Sequence, residues 1–133
     1  MQGGTSRIKG GETMRRETIS VSVGVCAGRH EMPVDKFVFD KIADPTDVKA
    51  LEATAWEWYL ANVVPLKEDG YCVDINIYVT GLTVATIAIV DVVLRNHFWA
   101  IDNDYPTIVG NGTVKLWHFD AVGQKYYPQT IGL

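Results

Sequence analysis

The chain has 133 residues, 47% of them apolar, and a formal net charge of −4. That length carries one domain with a core of its own. The acidic balance removes the electrostatic case for duplex nucleic acid, which asks for a basic surface, although a small nucleotide needs only a few local partners for its phosphates.

In chain order, residues 1–17 are rich in Gly, Thr, Ser, Lys and Arg without periodicity and read as a flexible N-terminal arm. A single α/β domain is expected over 18–133. Residues 18–27 alternate, with Ile19, Val21, Val23 and Val25 on one side, which is the period of a strand. Gly24 inside it marks a close approach by a neighbouring element. The strand runs into Gly28-Arg29-His30-Glu31-Met32-Pro33, where Gly permits a sharp exit and Pro33 holds Met32 out of the helical region. Three ionisable residues therefore stand side by side at a strand's carboxyl end.

Residues 36–40 form a β-like run too short to place. Asp44-Pro45 is expected to open a helix running to about Asn62, with Asp44 accepting from first-turn amides and Pro in the first helical position. Val48, Leu51, Ala55, Trp58 and Tyr59 recur at helical spacing, and Trp56 falls off that stripe. Pro65 and residues 67–70 read as a return loop.

Val73, Ile75, Ile77 and Val79 alternate with Asp74, Asn76 and Tyr78, giving the next strand. Residues 82–96 form an apolar run that reads as a helix packed in the middle of the domain. Its β-branched content makes a strand the competing reading, and its length favours the helix. Thr80-Gly81 is then a tight strand-to-helix turn, aiming backbone N–H groups and the positive end of the helix dipole at the strand-end crevice. The connection over 97–112 is long, which suits a functional or oligomeric role. Residues 114–119, a turn at 120–125 and residues 126–131 make an antiparallel hairpin, with Pro128 tolerable only in an edge strand. The fold expected is a small mixed sheet with two main helices, in the order β-α-β-α-β-β, ending in that hairpin.

Cys26 and Cys72 sit in apolar runs and read as buried reduced thiols. No metal-ligand spacing occurs, so no metal or other cofactor is expected. The longest apolar run is broken by Asp91, and no secretory pattern precedes the first strand, so a soluble cytoplasmic protein without membrane partners is expected.

Arg29 could clamp a phosphate, His30 move a proton and Glu31 hold a ribose hydroxyl; alternatively Arg29 and Glu31 pair within the sheet and His30 is simply exposed. Thr80, Gly81, Leu82 and Thr83 could cradle an anion, or the threonines could only cap the helix. The Gly-rich spacing and Lys of a P-loop are missing. Asp91, inside the apolar helix, needs a partner, and Arg95 one turn on can be that partner. His118 and Asp120 point to the same side of a strand and are either a pair or an exposed rim. No nucleophile elbow is present, so the case for an enzyme is weak. Trp99, Tyr105, Trp117, Tyr126 and Tyr127 could stack on a base, but covering a subunit interface is the better reading.

The set Cys26-Ala-Gly-Arg-His-Glu-Met-Pro33, Tyr78-Val-Thr-Gly-Leu-Thr-Val-Ala85, Leu116-Trp-His-Phe-Asp120 and Tyr126-Tyr-Pro-Gln129 resembles the anti-Thoeris signal sponges, a family of small phage proteins. The resemblance covers about residues 21–131 and none of the arm. It implies a non-catalytic protein that sequesters the cyclic ADP-ribose isomer made by bacterial TIR-domain enzymes. It also implies a homo-oligomer, a dimer or an assembly of dimers, with ligand pockets between subunits, some members binding cyclic oligonucleotides as well. Two positions depart from the family: Asp91, where Asn is expected, and Ala121, where Arg is expected. An added acid and a lost base near a pyrophosphate would weaken binding. Alternatives from other classes are an enzyme degrading such a signal through His30 or His118, and a phage assembly protein without a ligand.

Overall fold

The structure, a computed structural model, describes residues 17–29, 31–97 and 112–132. Residues 1–16, His30, residues 98–111 and Leu133, with the expectations placed on them, lie outside that set. The elements are β1 (Thr18–Cys26), β2 (Phe37–Phe39), α1 (Val48–Asn62), α2 (Val64–Glu68), β3 (Cys72–Tyr78), α3 (Thr83–His97), β4 (Val114–Asp120) and β5 (Lys125–Ile131). They build an α/β fold on a five-stranded sheet of order β2-β1-β3-β4-β5. The first four strands are parallel, and β5 closes an antiparallel hairpin with β4. Pro128 stands in β5, the edge strand, as its missing N–H requires.

Handedness decides where the connections go. The crossovers β2-α1-β3 and β3-α3-β4 step across the sheet in the same direction, so the right-handed rule puts α1 and α3 on one face, where they pack side by side. That face is the core: Val73, Ile75 and Ile77 of β3, Val25 of β1 and Ile89 and Val93 of α3 are fully buried. The step from β1 to β2 runs the other way, and residues 31–36 of that connection lie on the other face, which carries no helix among the described residues. Gly24 is what admits them, because a Cβ there would lie 2.6 Å from Met32 Sδ and from the Phe37 ring.

The helix-free face carries the alternate residues of the same strands. Tyr78 and Trp117 stack with centroids 5.5 Å apart, and Tyr126 meets Tyr78 edge-on at 5.1 Å. Trp117 Nε1 donates to Asn76 Oδ1 at 3.0 Å. Thr113 donates to Asp74 Oδ1 from both its amide (2.8 Å) and its hydroxyl (3.0 Å). An aromatic and polar layer thus lies where a second layer of helices would otherwise pack.

Several local expectations change. The run at 36–40 is a true strand, β2, held by Gly24↔Phe37 and Cys26↔Phe39 pairing. Helix α1 starts at Val48, and its cap is Asp47, which accepts from Ala50 N at 3.1 Å. Asp44 is spent on a turn of its own, accepting from Thr46 N (2.9 Å) and Thr46 Oγ1 (2.6 Å), so Pro45 stays outside the helix. The return loop contains a short helix, α2, with Pro65 in its first turn, where a missing N–H costs nothing. Among the described residues helices cover one face of the sheet only, so α3 is not surrounded: Val84 and Ile87 are exposed while Ala85, Ala88 and Val92 are buried. Asp91 lies on its half-exposed side and does pair with Arg95, Oδ1 to Nε 3.0 Å.

Both cysteines are buried and neither is in a disulfide. Among the described residues no helix is long and apolar enough to cross a membrane.

Candidate functional site

A parallel sheet has a crevice at its carboxyl edge where neighbouring connections leave in opposite directions. Here the chain leaves β1 toward β2 and leaves β3 toward β4, so the parting point lies between residues 27–29 and residues 79–82. A cleft of about 290 Å³ sits there, bringing Gly28, Arg29, Asp40, Lys41 and Leu82 around one space. Cys26, Ile42 and Pro45 supply its apolar wall.

Each side of the cleft has a local cause. Gly28, at φ +76, turns the chain out of β1 and leaves the following Arg29 exposed. Asp40 and Lys41 follow directly on β2, which parallel pairing ends at the same level as β1. Opposite them Gly81, at φ +89, turns the chain from β3 into α3. Leu82 O accepts from Thr86 N and from Thr86 Oγ1, both at 2.9 Å, closing the first turn, whose leading amides have no partner within the helix. Thr80 Oγ1, two residues before Leu82, is buried with no hydrogen-bond partner among the described residues. A buried hydroxyl in that condition is one that a bound polar group would satisfy.

Electrostatics give the cleft a mixed lining of two cations, one acid and the positive end of a helix dipole. Burial pushes the Cys26 thiol up; Arg29 pulls it the other way, and Asp40 adds to the rise. The thiol therefore stays protonated at neutral pH and acts as wall, since only the thiolate is a nucleophile.

The residues singled out in the sequence divide between places. Arg29 and Leu82 meet in the cleft, with Thr80, Gly81 and Thr83 on the same strand-to-helix turn. Glu31 does not join them. It lies across the helix-free face, where its carbonyl accepts from the Tyr126 hydroxyl at 3.4 Å and it borders a second cleft, of about 440 Å³, with Met32, Phe119 and Tyr126. Asp91 and Arg95 are eight and twelve residues beyond Thr83, roughly 12 and 18 Å down the helix axis, so their ion pair belongs to the exposed helix surface and not to the cleft. His118 follows Trp117, which pairs with Tyr78, so the register sets it beside Val79 on the helix side. Its Nε2 lies 2.8 Å from Gln129 Oε1 and its ring 5.4 Å from that of Tyr127. Asp120 instead accepts from Val122 N at 3.0 Å and shapes the hairpin turn. The two have separate partners.

Asp40 and Lys41 escaped the sequence reading. The signal was Phe37 and Phe39 flanking Val38: once that run is a strand parallel to β1, the residues after it must stand beside Arg29. Among the described residues no group of three His, Cys, Asp or Glu side chains could hold a metal ion.

No protein-family model, curated protein or solved structure matches this chain.

Proposed function

We propose that the protein is a non-catalytic binding module that sequesters a cyclic nucleotide signal, a cyclic ADP-ribose isomer, and thereby blocks TIR-based defence of bacteria against phage. One observation carries the reading: Arg29, Lys41 and the amino end of α3 converge on a single cleft at the point where the sheet's connections part. Two cations from different strands plus the leading amides of α3 suit a pyrophosphate, because both phosphates find a partner without a P-loop. Asp40 accepts ribose hydroxyls, the role that Glu31 is too far round the sheet to take. Leu82, Ile42 and Pro45 give the base an apolar wall. The identity of the nucleotide comes from the resemblance of the strand-end and hairpin motifs to the signal sponges. Related cyclic oligonucleotides belong to the same chemical class.

The test is to mix purified protein with the cyclic ADP-ribose isomer, remove free nucleotide, denature the protein by heat and identify what is released. Intact nucleotide supports sequestration. A cleaved product makes the protein an enzyme, and no captured nucleotide overturns the reading.

A further inference from the structure

The cleft bordered by Glu31 is separate from the one lined by Arg29, and the nucleotide reading leaves it unused. It lies on the aromatic face, between residues 31–37 and the tip of the β4-β5 hairpin. Two contacts hold those segments in place. Gly24 lets Met32 and Phe37 lie over the sheet, and the Tyr126 hydroxyl reaches the carbonyl of Glu31 at 3.4 Å. The space between them is about 440 Å³, the size of a small-molecule site. Phe37, Phe119, Tyr126 and Met32 give it an apolar, ring-rich lining. Phe119 is 40% exposed, and its ring meets that of Tyr126 at 60° with centroids 5.2 Å apart, a corner instead of a stack.

Most polar groups at its border are already engaged. The Tyr126 hydroxyl is on Glu31 O, and the Gln124 amide donates to Ala121 O at 2.6 Å. The Lys125 side chain runs toward the hairpin turn: a Cβ placed on Gly123 would lie 3.5 Å from Lys125 Cε and 2.7 Å from Asp120 Oδ2. That ammonium and that carboxylate therefore share one small region and offset each other. What is left is the Glu31 carboxylate, which has no hydrogen-bond or ion-pair partner among the described residues. One uncompensated negative charge stands at the border of a pocket of aromatic rings.

We propose that this cleft binds a small quaternary ammonium compound such as choline. A trimethylammonium group spreads its positive charge over methyl groups, is attracted to the negative faces of aromatic rings, and needs no hydrogen-bond acceptor. A carboxylate beside the rings adds a Coulombic partner. A metal ion or a primary ammonium would instead require several acceptors, and among the described residues no group of three His, Cys, Asp or Glu side chains could hold a metal ion. The cation is a free one and not a phosphocholine headgroup, because the headgroup's phosphate would be brought up to Glu31 on a chain of net charge −4. The proposal stands whether or not the other cleft takes a nucleotide.

The test is an NMR titration of the full chain with three compounds: choline, its neutral isostere with carbon in place of nitrogen, and phosphocholine. The readout is the amide shifts around Glu31 and Tyr126. Choline is expected to bind saturably and at least roughly fivefold more tightly than either of the others, because only the free cation gains from both the rings and the carboxylate. Glu31→Gln keeps the shape and removes the charge, so it should weaken choline by about the same factor and leave the neutral isostere unchanged. Phe119→Leu, at an exposed ring, should also weaken choline more than the isostere. Equal binding of choline and its isostere would make the cleft a plain apolar pocket and overturn the proposal. Tighter binding of phosphocholine, absence of saturation, or unchanged choline affinity in Glu31→Gln would overturn it too. Should Glu31→Gln fail to fold, the comparison of the three compounds on the natural protein decides.

Discussion

Strand β3 shows two solutions to burial within seven residues. On the helix-covered face Val73, Ile75 and Ile77 are completely buried, while on the other face Asp74, Asn76 and Tyr78 cover themselves by hydrogen bonds and ring stacking. The first face derives its stability from apolar area removed from water and is indifferent to direction. The second depends on particular partners, Asn76 with Trp117 and Asp74 with Thr113. Arg29 lines the cleft at the carboxyl edge of the sheet, whereas Glu31 borders a separate cleft on the aromatic face.

The largest expected effect tests the covered face. Ile75→Ala should cost about 2–5 kcal/mol in urea unfolding, through lost transfer energy and the cavity left in a layer that cannot collapse. Asn76→Ala, one residue on, should cost only about 1 kcal/mol, because Trp117 Nε1 loses its acceptor in a partly exposed place. Equal losses would break the contrast between the faces.

Alkaline pH separates the faces in another way. Burial raises the Tyr59 hydroxyl far above its ordinary range, and Tyr126, on the open face, is raised by burial with Tyr78 adding to it. A raised folded-state pKa contributes stability that is present below the unfolded value, about 10 for tyrosine, and is lost as pH climbs past it. Unfolding free energy should therefore fall above pH ~10, by up to about 1.4 kcal/mol per pH unit for Tyr59 and by less for the more exposed Tyr126. Tyr59→Phe should flatten this limb more than Tyr126→Phe in melts taken across that range.

The smallest effect concerns α3. Asp91→Ala should cost less than about 1 kcal/mol, as for other exposed ion pairs, since Arg95 is 74% exposed in its side chain. It should also leave nucleotide capture unchanged, because the pair lies well down the helix from the cleft.

Periodicity alone was enough for the fold class, the parallel core strands and the terminal hairpin. The alternation of Ile19 to Val25 and of Val73 to Val79 has one folded meaning, and Pro128 leaves its strand only an edge position. It was not enough for β2, whose three residues carry too little pattern, although the reason for that strand, Gly24, was visible as a close-approach signal. Asp44 and Asp47 are chemically equal candidates for a cap; Thr46 decided between them by engaging Asp44 in a turn. Half of the cleft was legible, because Arg29 and the Thr80-Gly81 turn stand at strand ends. The other half, Asp40 and Lys41, required the sheet order. Asp91 looked buried because its neighbours are apolar, and only the single helix layer explains why that side of α3 faces solvent.

Whether the cleft between Arg29 and Leu82 holds the nucleotide is decided by titrating Arg29→Ala and Glu31→Ala with the cyclic ADP-ribose isomer beside the natural protein. Arg29→Ala is expected to abolish capture, while Glu31→Ala, in a separate cleft, is expected to keep it. Unchanged affinity in Arg29→Ala, or loss only in Glu31→Ala, would contradict that placement.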